Sequence, residues 1–302
     1  MHPVEPGVRA QVVLYRNPLA DVWRMFRGLC AAARVARRDA SLRWIEVFLG
    51  DCSPTPVLSR SDVDQIRRHA LAEGIDEVSY ECFGANLKSA LGHNTLATGA
   101  STDFLLILNP DTYPSPGMLA EQLAVMGDPR VGIAEARQIP MEHPKAFDLR
   151  SGDTSWASTC SVLVRRAEAF EAVGGFDADH FPLYCDDVDF SWRVRLAGLR
   201  VVHVPAAVVF HAKQIGSGGH IATSALEVYE GTLARLLLGV KYDRPDIVDQ
   251  TVTWIERHGN EDQADALAQF RRRASEGALP AVVDGAARAA QFVNGEYAVH
   301  RF

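Results

Sequence analysis

The chain has 302 residues, 47% of them hydrophobic and 8% aromatic, so it can bury the core of one large domain or of two small ones. Its formal net charge of -7 at pH 7 argues against a nucleic-acid partner, because phosphate binding needs clustered Lys and Arg. Five scattered cysteines without a Cys-x-x-Cys pair, no apolar stretch of membrane-spanning length and no signal-peptide pattern at the N-terminus predict a cytoplasmic protein.

The first part of the chain, up to about Val131, alternates strand and helix patterns. Strands are predicted at residues 10–15, 44–49, 77–80 and 104–108, and helices at residues 19–33, 61–73 and 86–97. Repeated β-α units of this length predict an α/β fold with a mostly parallel sheet that is covered by helices.

The pattern changes after residue 138. Residues 138–155 are polar and contain two prolines, which predicts a long loop of the kind that is often functional. A strand at 161–164, a helix at 187–197 and two short strands at 201–204 and 207–210, on either side of Pro205, are predicted next. Residues 213–219 are Gly-rich and predicted to be mobile, and the chain from Thr223 to its end reads as a helical appendage. Within it, residues 233–240 fit a helix packed on the main domain better than one lying on a bilayer.

Asp111 comes directly after the all-apolar strand pattern Leu105–Leu108, in the sequence Asn109-Pro110-Asp111. A carboxylate just past the carboxyl end of a parallel strand lies where open α/β sheets bind their ligands. Such a group suits a hard divalent cation, which takes one or two carboxylates together with substrate phosphates. Asn, Pro and Asp also favour turns, so the residues alone leave a metal site and a simple turn equally open.

His211 closes the second of the two short strands and is a candidate second metal ligand, because imidazole suits Mn²⁺ and related metals. A hydrogen-bonded histidine at a strand end is the alternative. The flexible residues Gly216–Gly219 that follow favour a ligand site, since mobile lids are often found beside one.

Three acids, Asp186, Asp187 and Asp189, open the predicted helix at 187–197. The helix dipole stabilises negative charge at this end and accounts for one or two of them. It accounts poorly for Asp186 and Asp187 together, because their mutual repulsion raises one pKa and produces a general base.

Asp51 ends the second predicted strand, where it can accept a hydrogen bond from a base or a ribose. Its alternative is an Asx-turn with Ser53. The sequence has neither the Gly-x-Gly-x-x-Gly pattern after the first strand nor a P-loop, which counts against dinucleotide and P-loop chemistry.

Several short motifs, taken in order, resemble family 2 glycosyltransferases, most of all the bacterial rhamnosyltransferase and galactofuranosyltransferase branch. The resemblance covers roughly residues 10–215 and is most specific from Val173 to His211. The motifs are Gly50–Ser53, Gly92-His93-Asn94, Leu108–Thr112, Val173–Asp177, Asp186–Arg193, Ala197-Gly198 and Val204-Pro205 with Phe210-His211.

The resemblance implies a GT-A fold, with a glycosyltransferase domain at 1–220 and a C-terminal helical region at 221–302. Residues 1–112 would be the nucleotide-binding half and 113–220 the acceptor and catalytic half. The implied roles are nucleobase contact for Asp51, donor contact for Asn94, Asn109 and Asp111, Mn²⁺ or Mg²⁺ binding for Asp111 and His211, and catalysis by Asp187 as base beside Asp186.

The implied reaction is inverting, metal-dependent transfer of a rhamnosyl, galactofuranosyl or other hexosyl group from a UDP- or dTDP-linked sugar. The acceptor would be a glycan or a lipid-linked glycan in cell-surface polysaccharide synthesis, and contact with the inner membrane face and homo-oligomerisation stay open. The chain departs from the family at Asn109-Pro110-Asp111, which has one carboxylate instead of two, at Leu14–Asn17, and at Phe83–Asn86, where glycines are lost. These departures motivate a non-catalytic nucleotide-sugar-binding module as the alternative. A sugar-phosphate nucleotidyltransferase is disfavoured, because residues 16–19 contain no glycine.

Overall fold

The computed structural model describes residues 6–212 and 223–301, which form an eight-stranded sheet flanked by helices. The strands are β1 (Gly7–Leu14), β2 (Trp44–Asp51), β3 (Glu77–Cys82), β4 (Phe104–Leu108), β5 (Thr112–Pro114), β6 (Val131–Ile139), β7 (Ser161–Arg165) and β8 (Arg200–His211). The helices are α1 (Leu19–Asp39), α2 (Arg60–Ala72), α3 (Lys88–Ala97), α4 (Met118–Val125), α5 (Asp186–Leu196), α6 (Ala225–Lys241), α7 (Pro245–His258) and α8 (Glu261–Ser275). A π-helical turn spans Arg166–Glu171 and a 3₁₀ turn spans Ala286–Arg288.

The strand order of the sheet is β3-β2-β1-β4-β7-β6-β8-β5. The first four strands pair in parallel, as the alternating pattern predicted, and the second half mixes antiparallel pairs with the parallel pair β6-β8. Two successive antiparallel steps separate β4 from β6, so β4, β6 and β8 run in the same direction. The carboxyl ends of β1, β2, β4 and β8 therefore lie at one edge of the sheet, where α/β folds bind ligands.

The predicted elements of the first half are confirmed, with small shifts at their ends. The prediction of two short strands around Pro205 is wrong, because β8 is one continuous strand. The register of its pairing with β6 is irregular at this point. Ala136 pairs with Val204, whereas the next residue, Arg137, pairs with Val208. Pro205 falls in this irregularity, where its missing N–H costs no ladder hydrogen bond.

The C-terminal region packs against the sheet domain through a shared apolar core. That core includes Trp156, Phe181 and Trp192 from the first part of the chain, and Leu233, Leu236, Leu237 and Phe270 from α6 and α8. The apolar face of residues 233–240 is thus buried within the protein, as predicted. The expectation of helix to the chain end is wrong beyond Ser275, because residues 276–301 form only one 3₁₀ turn and isolated bridges. Across residues 6–212 and 223–301, no helix has both the length and the apolar character to cross a bilayer.

The predicted mobile segment 213–219, with its lid Gly216–Gly219, lies outside the described residues, as do residues 1–5. The domain boundaries at 112 and 220 stay a prediction. Two apolar cores run across them, one joining β1 to β8 and the other joining α5 to α6.

A buried ion cluster reinforces the contact between α5 and α6. Asp189 is 0% exposed, and its carboxylate accepts from Lys241 Nζ at 2.6 Å, Arg193 Nε at 2.8 Å and the Tyr242 hydroxyl at 3.0 Å. Lys241 also donates to Asp177 at 2.5 Å. Asp189, the third acid of the acidic motif, is therefore structural, because its charge is neutralised by partners inside the protein.

We expect Lys241→Met to destabilise the protein by about 3–5 kcal/mol, because the buried carboxylate of Asp189 loses one of its two cations. Urea unfolding measures the change. Arg271→Met is the matched control in the same helical region, because Arg271 pairs with Glu256 at the surface and such pairs contribute about 1 kcal/mol or less. Equal losses in the two variants would contradict a special role for the buried cluster.

Candidate active site

A cleft of about 1080 Å³ lies at the carboxyl edge of the sheet. Its walls include the turn after β4, the end of β8, the first residues of α3 and α5, the start of α6 and the C-terminal segment. Five of the predicted site residues, Asn109, Asp111, Asp186, Asp187 and His211, line it. The fold thus joins positions that are separated by up to a hundred residues in the sequence.

Asp111 and His211 meet where β5 pairs with β8, the last two strands in the sheet order. The turn Asn109-Pro110-Asp111 leads into β5, whose Thr112 pairs with His211 of β8. Asp111 Oδ2 lies 3.2 Å from His211 Nε2, and the Asp111 side chain is 39% exposed. The turn interpretation of this segment is confirmed, and the turn brings the carboxylate next to the imidazole; metal binding by Asp111 stays a prediction.

The second ring nitrogen of His211 is held by Gln138 of β6, whose Oε1 lies 3.0 Å from Nδ1. If Nδ1 donates its hydrogen to this oxygen, Nε2 carries a lone pair directed at the Asp111 carboxylate. In that tautomer the nitrogen and the carboxylate oxygen can both coordinate a cation, and a metal-bound histidine usually donates its other N–H in this way. The pair therefore fits a divalent cation that draws its other ligands from substrate and water, although residues 6–212 and 223–301 contain no cluster of three metal-binding side chains.

Asp186 and Asp187 begin α5 at the wall of the cleft, after Cys185 in a left-handed conformation (φ 57°). Burial, and then the charge of Asp187, raises the pKa of Asp186 well above its usual range. Burial also raises the pKa of Asp187 to about 6, against the opposing charge of Lys145 and the N–H of Val188. Burial thus makes both carboxyls weaker acids than an ordinary aspartate, and the role of Asp187 as a general base stays a prediction.

Lys145 faces Asp187 from the long loop after β6 and is itself held by a buried carboxylate. Its ammonium lies 2.6 Å from Glu135 and 4.1 Å from the Trp156 ring centroid. Burial opposes ionisation of Glu135, but the charge of Lys145 and the hydrogen bond with His203 lower its pKa to about 2. The ammonium of Lys145 lowers the pKa of Asp187, and the charge of Glu135 opposes that effect.

Asp51 is not exposed to the cleft, although it stands at the end of β2. Its carboxylate is 0% exposed and accepts from the N–H groups of Ser53 and Val57, at 2.9 and 2.6 Å, and from the Tyr80 hydroxyl at 2.6 Å. The Asx-turn with Ser53, the alternative to nucleobase binding, is therefore present. Nucleobase contact by Asp51 stays a prediction that would require these bonds to rearrange.

Asn94 is likewise engaged within the protein. Its side-chain amide donates to the carbonyl of Phe176 and accepts from the Phe176 N–H, both at 2.8 Å. A Cβ on Gly175 would lie 2.5 Å from the Asn94 oxygen, which explains the glycine at that position. The Gly92-His93-Asn94 motif is therefore tied to the Gly174-Gly175-Phe176 motif, and donor contact by Asn94 stays a prediction.

Sequence reasoning missed the C-terminal segment as part of the site. Glu296, Tyr297 and His300 line the cleft, and the segment is fastened to the loop after β6 by Ala146 N–H donating to Val299 and Arg301 N–H donating to Pro144. It also missed Lys88 and Lys145, which are the two basic side chains among the described residues that line the cleft. A strand-to-helix pattern could not reveal them, because each lies in an irregular segment or at a helix start.

Curated relatives cover part of the chain, and no protein-family model matches it. A pre-mycofactocin glycosyltransferase of Mycobacterium tuberculosis is 32% identical over 165 residues, 49% of this chain and 34% of that protein. An N-acetylglucosaminyl-diphospho-decaprenol L-rhamnosyltransferase of the same species is 34% identical over 141 residues, 41% of this chain and 42% of that protein. The rhamnosyltransferase WbbL of Escherichia coli is 44% identical over 57 residues, 19% of this chain and 20% of that protein. The matches thus span between 20% and 42% of each relative, and all three relatives carry glycosyltransferase names.

Solved structures show the fold. The mannosyltransferase PcManGT from Pyrobaculum calidifontis, in complex with GDP-Man and Mn²⁺, matches with a TM-score of 0.56 at 15% identity, over 94% of this chain and 78% of that one. GalNAc-T7 with UDP, GalNAc and Mn²⁺ matches with a TM-score of 0.60 at 11% identity, over 93% of this chain and 59% of that one. The chain has the GT-A glycosyltransferase fold, and the resemblance read from its motifs is confirmed at the level of fold and relatives.

We expect Asp186→Asn to raise the melting temperature near pH 8 and to have little effect near pH 4. The pKa of Asp186 is raised on folding, so the folded state loses stability as pH rises above the ordinary carboxyl range, and asparagine removes that loss. Thermal melts at several pH values test this. Asp148→Asn is a control of opposite sign, because hydrogen bonds from Ser151 lower the pKa of Asp148 and its charge stabilises the folded state at neutral pH. A pH-independent effect of Asp186→Asn would contradict the raised pKa.

Proposed function

We propose that the protein is an inverting, metal-dependent glycosyltransferase that uses a nucleoside-diphosphate sugar as donor. The observation that carries the proposal is the placement of the Asp111–His211 pair and of an ionisable Asp187 in the same cleft. The Asp111–His211 pair suits a cation that faces phosphates, and Asp187 suits proton removal. A GT-A fold with glycosyltransferase relatives supports the same reaction class.

On the donor side, Asp111 and His211 would hold Mn²⁺ or Mg²⁺ against the diphosphate. The ion would offset the charge that grows on the departing nucleoside diphosphate. Gln138 keeps the imidazole in the orientation that this requires, and the backbone pairing of β5 with β8 fixes the spacing of the two ligands.

On the acceptor side, Asp187 would remove the proton from an acceptor hydroxyl. The freed oxygen would form a bond with the anomeric carbon as the bond between that carbon and the phosphate oxygen breaks. The electron pair of the broken bond leaves with the nucleoside diphosphate, and attack from the opposite face inverts the anomeric configuration. With a pKa of about 6, Asp187 is ionised at neutral pH yet more basic than an ordinary aspartate, which suits a general base.

The names of the relatives and the lining of the cleft support the proposed donor and acceptor classes. Two of the three curated relatives are named rhamnosyltransferases, so a UDP- or dTDP-linked rhamnosyl, galactofuranosyl or other hexosyl donor is proposed. Trp156, Tyr184 and Tyr297 line the cleft and provide apolar faces with polar edges, which supports a glycan or lipid-linked glycan as acceptor. Synthesis of a cell-surface polysaccharide would supply such an acceptor.

The second candidate is a non-catalytic nucleotide-sugar-binding module with the same fold. The observation that favours it is that Asp51 and Asn94, both expected to contact the donor, are bonded to other parts of the protein. Nucleotide binding without turnover across a broad donor and acceptor panel would support this candidate. Any measured transfer would exclude it.

We expect a Mn²⁺-dependent rise in melting temperature with UDP, dTDP or GDP, which Asp111→Ala and His211→Ala abolish because each removes one of two protein ligands. A ligand at about 100 times its Kd adds roughly 2.7 kcal/mol of stability, which a thermal shift detects. Asp64→Ala, on the exposed face of α2, is the matched control and should keep the shift. A full shift in both site variants would show that the metal site lies elsewhere.

We expect Asp187→Asn to lower sugar transfer by about 10²–10⁴-fold while nucleotide affinity stays near that of the parent chain, because the base acts on the acceptor. In the parent chain, kcat should fall as pH drops below about 6, where Asp187 takes up a proton. Transfer rates across a pH series, with the nucleotide shift as a folding check, measure both effects. Unchanged transfer in Asp187→Asn would assign the base to another residue.

A further inference from the structure

Lys88, the first residue of α3, has a backbone conformation that is unfavourable for a lysine. Its φ of 58° lies in the left-handed region, which glycine adopts freely and residues with a Cβ rarely do. The Asn86 side chain accepts a hydrogen bond from the Lys88 N–H at 3.0 Å and helps to hold this turn. Strained residues of this kind cluster at functional sites, so the side chain is the feature to explain.

The Lys88 side chain lines the candidate active-site cleft, where positive charge is scarce. The described lining residues include six carboxylates, those of Asp111, Asp186, Asp187, Glu227, Glu230 and Glu296, against the ammonium groups of Lys88 and Lys145. The Lys145 side chain is 7% exposed and held by Glu135, whereas that of Lys88 is 36% exposed. Lys88 is therefore the more accessible of the two ammonium groups.

Lys88 also bridges two parts of the protein. Its ammonium lies 2.5 Å from Glu230 of α6, whose side chain is 10% exposed. Leaving the buried Glu230 carboxylate without a partner is unfavourable. The partly exposed ammonium of Lys88 can nevertheless exchange Glu230 for an anion that carries more charge. A diphosphate, with two or more charges and several acceptor oxygens, is such an anion.

We propose that Lys88 is a contact for the donor's diphosphate and that Glu230 holds it in place until the donor binds. This inference rests on the proposed function, which supplies the diphosphate. The ion pair with Glu230 does not by itself explain a lysine at this position, because its φ of 58° carries backbone strain that glycine would remove.

The test compares Lys88→Gly with the parent chain in two measurements, the melting temperature without ligand and the affinity for a diphosphate. The melting temperature checks that the variant folds, because the backbone strain that glycine removes opposes the loss of the cation beside the buried Glu230 carboxylate. Affinity for UDP, dTDP or GDP in the presence of Mn²⁺, measured by titration calorimetry, should fall by about ten-fold or more, because a charge-assisted hydrogen bond is lost. The fall should be smaller for the matching nucleoside monophosphate.

Two further variants separate the charge from the fold. Lys88→Arg keeps the cation and should retain most of the diphosphate affinity, whereas Glu230→Gln frees the ammonium and should raise the affinity. Diphosphate affinity unchanged in Lys88→Gly, while the parent chain binds, would overturn this inference and leave the proposed function standing. Binding of none of the three diphosphates by the parent chain would overturn both.

Discussion

The arrangement of the cleft depends on one buried charge, the carboxylate of Asp189. It is 0% exposed and is neutralised by Lys241 of α6 and Arg193 of its own helix. A buried carboxylate that lost these partners would be strongly unfavourable, so α5 and α6 must stay together. Because α5 carries the candidate base at its first turn, the C-terminal region holds the chemistry in place even though its sequence carries none of the recognised motifs.

The same helix start shows how neighbouring acids can serve different purposes. Asp189 faces inward and is fully paired, Asp186 is buried and its pKa is raised well above the usual range, and Asp187 has a pKa of about 6. Their sequence spacing is one to three residues, but their surroundings differ because the turns of a helix direct them to different sides. The cleft that results is rich in carboxylates, so an anionic ligand can bind only where cations offset that charge.

Much of the fold and part of the site could be predicted from the sequence. The strands of the N-terminal half were predicted from apolar runs and turn residues, and Asp111 and His211 from their position after strands. Pairing of β5 with β8 confirms that these two meet. The hydrogen bonds of Asp51 with Tyr80 and of Asn94 with Phe176 could not be predicted, because they join residues that are distant in the chain. The two pairs are 29 and 82 positions apart, respectively.

By itself the sequence determined the α/β class, the order of the β-α units and the residue types that suit metal binding and proton transfer, because periodicity and turn chemistry are local properties. Tertiary structure alone decided which of those residues share a cleft. It also decided which of them are paired with other groups inside the protein. Lys88, Lys145 and the C-terminal segment line the cleft as well, which only the tertiary structure shows. The physical reason is that burial and pairing, which set the charge and the availability of each side chain, arise from contacts between residues that are distant in the chain.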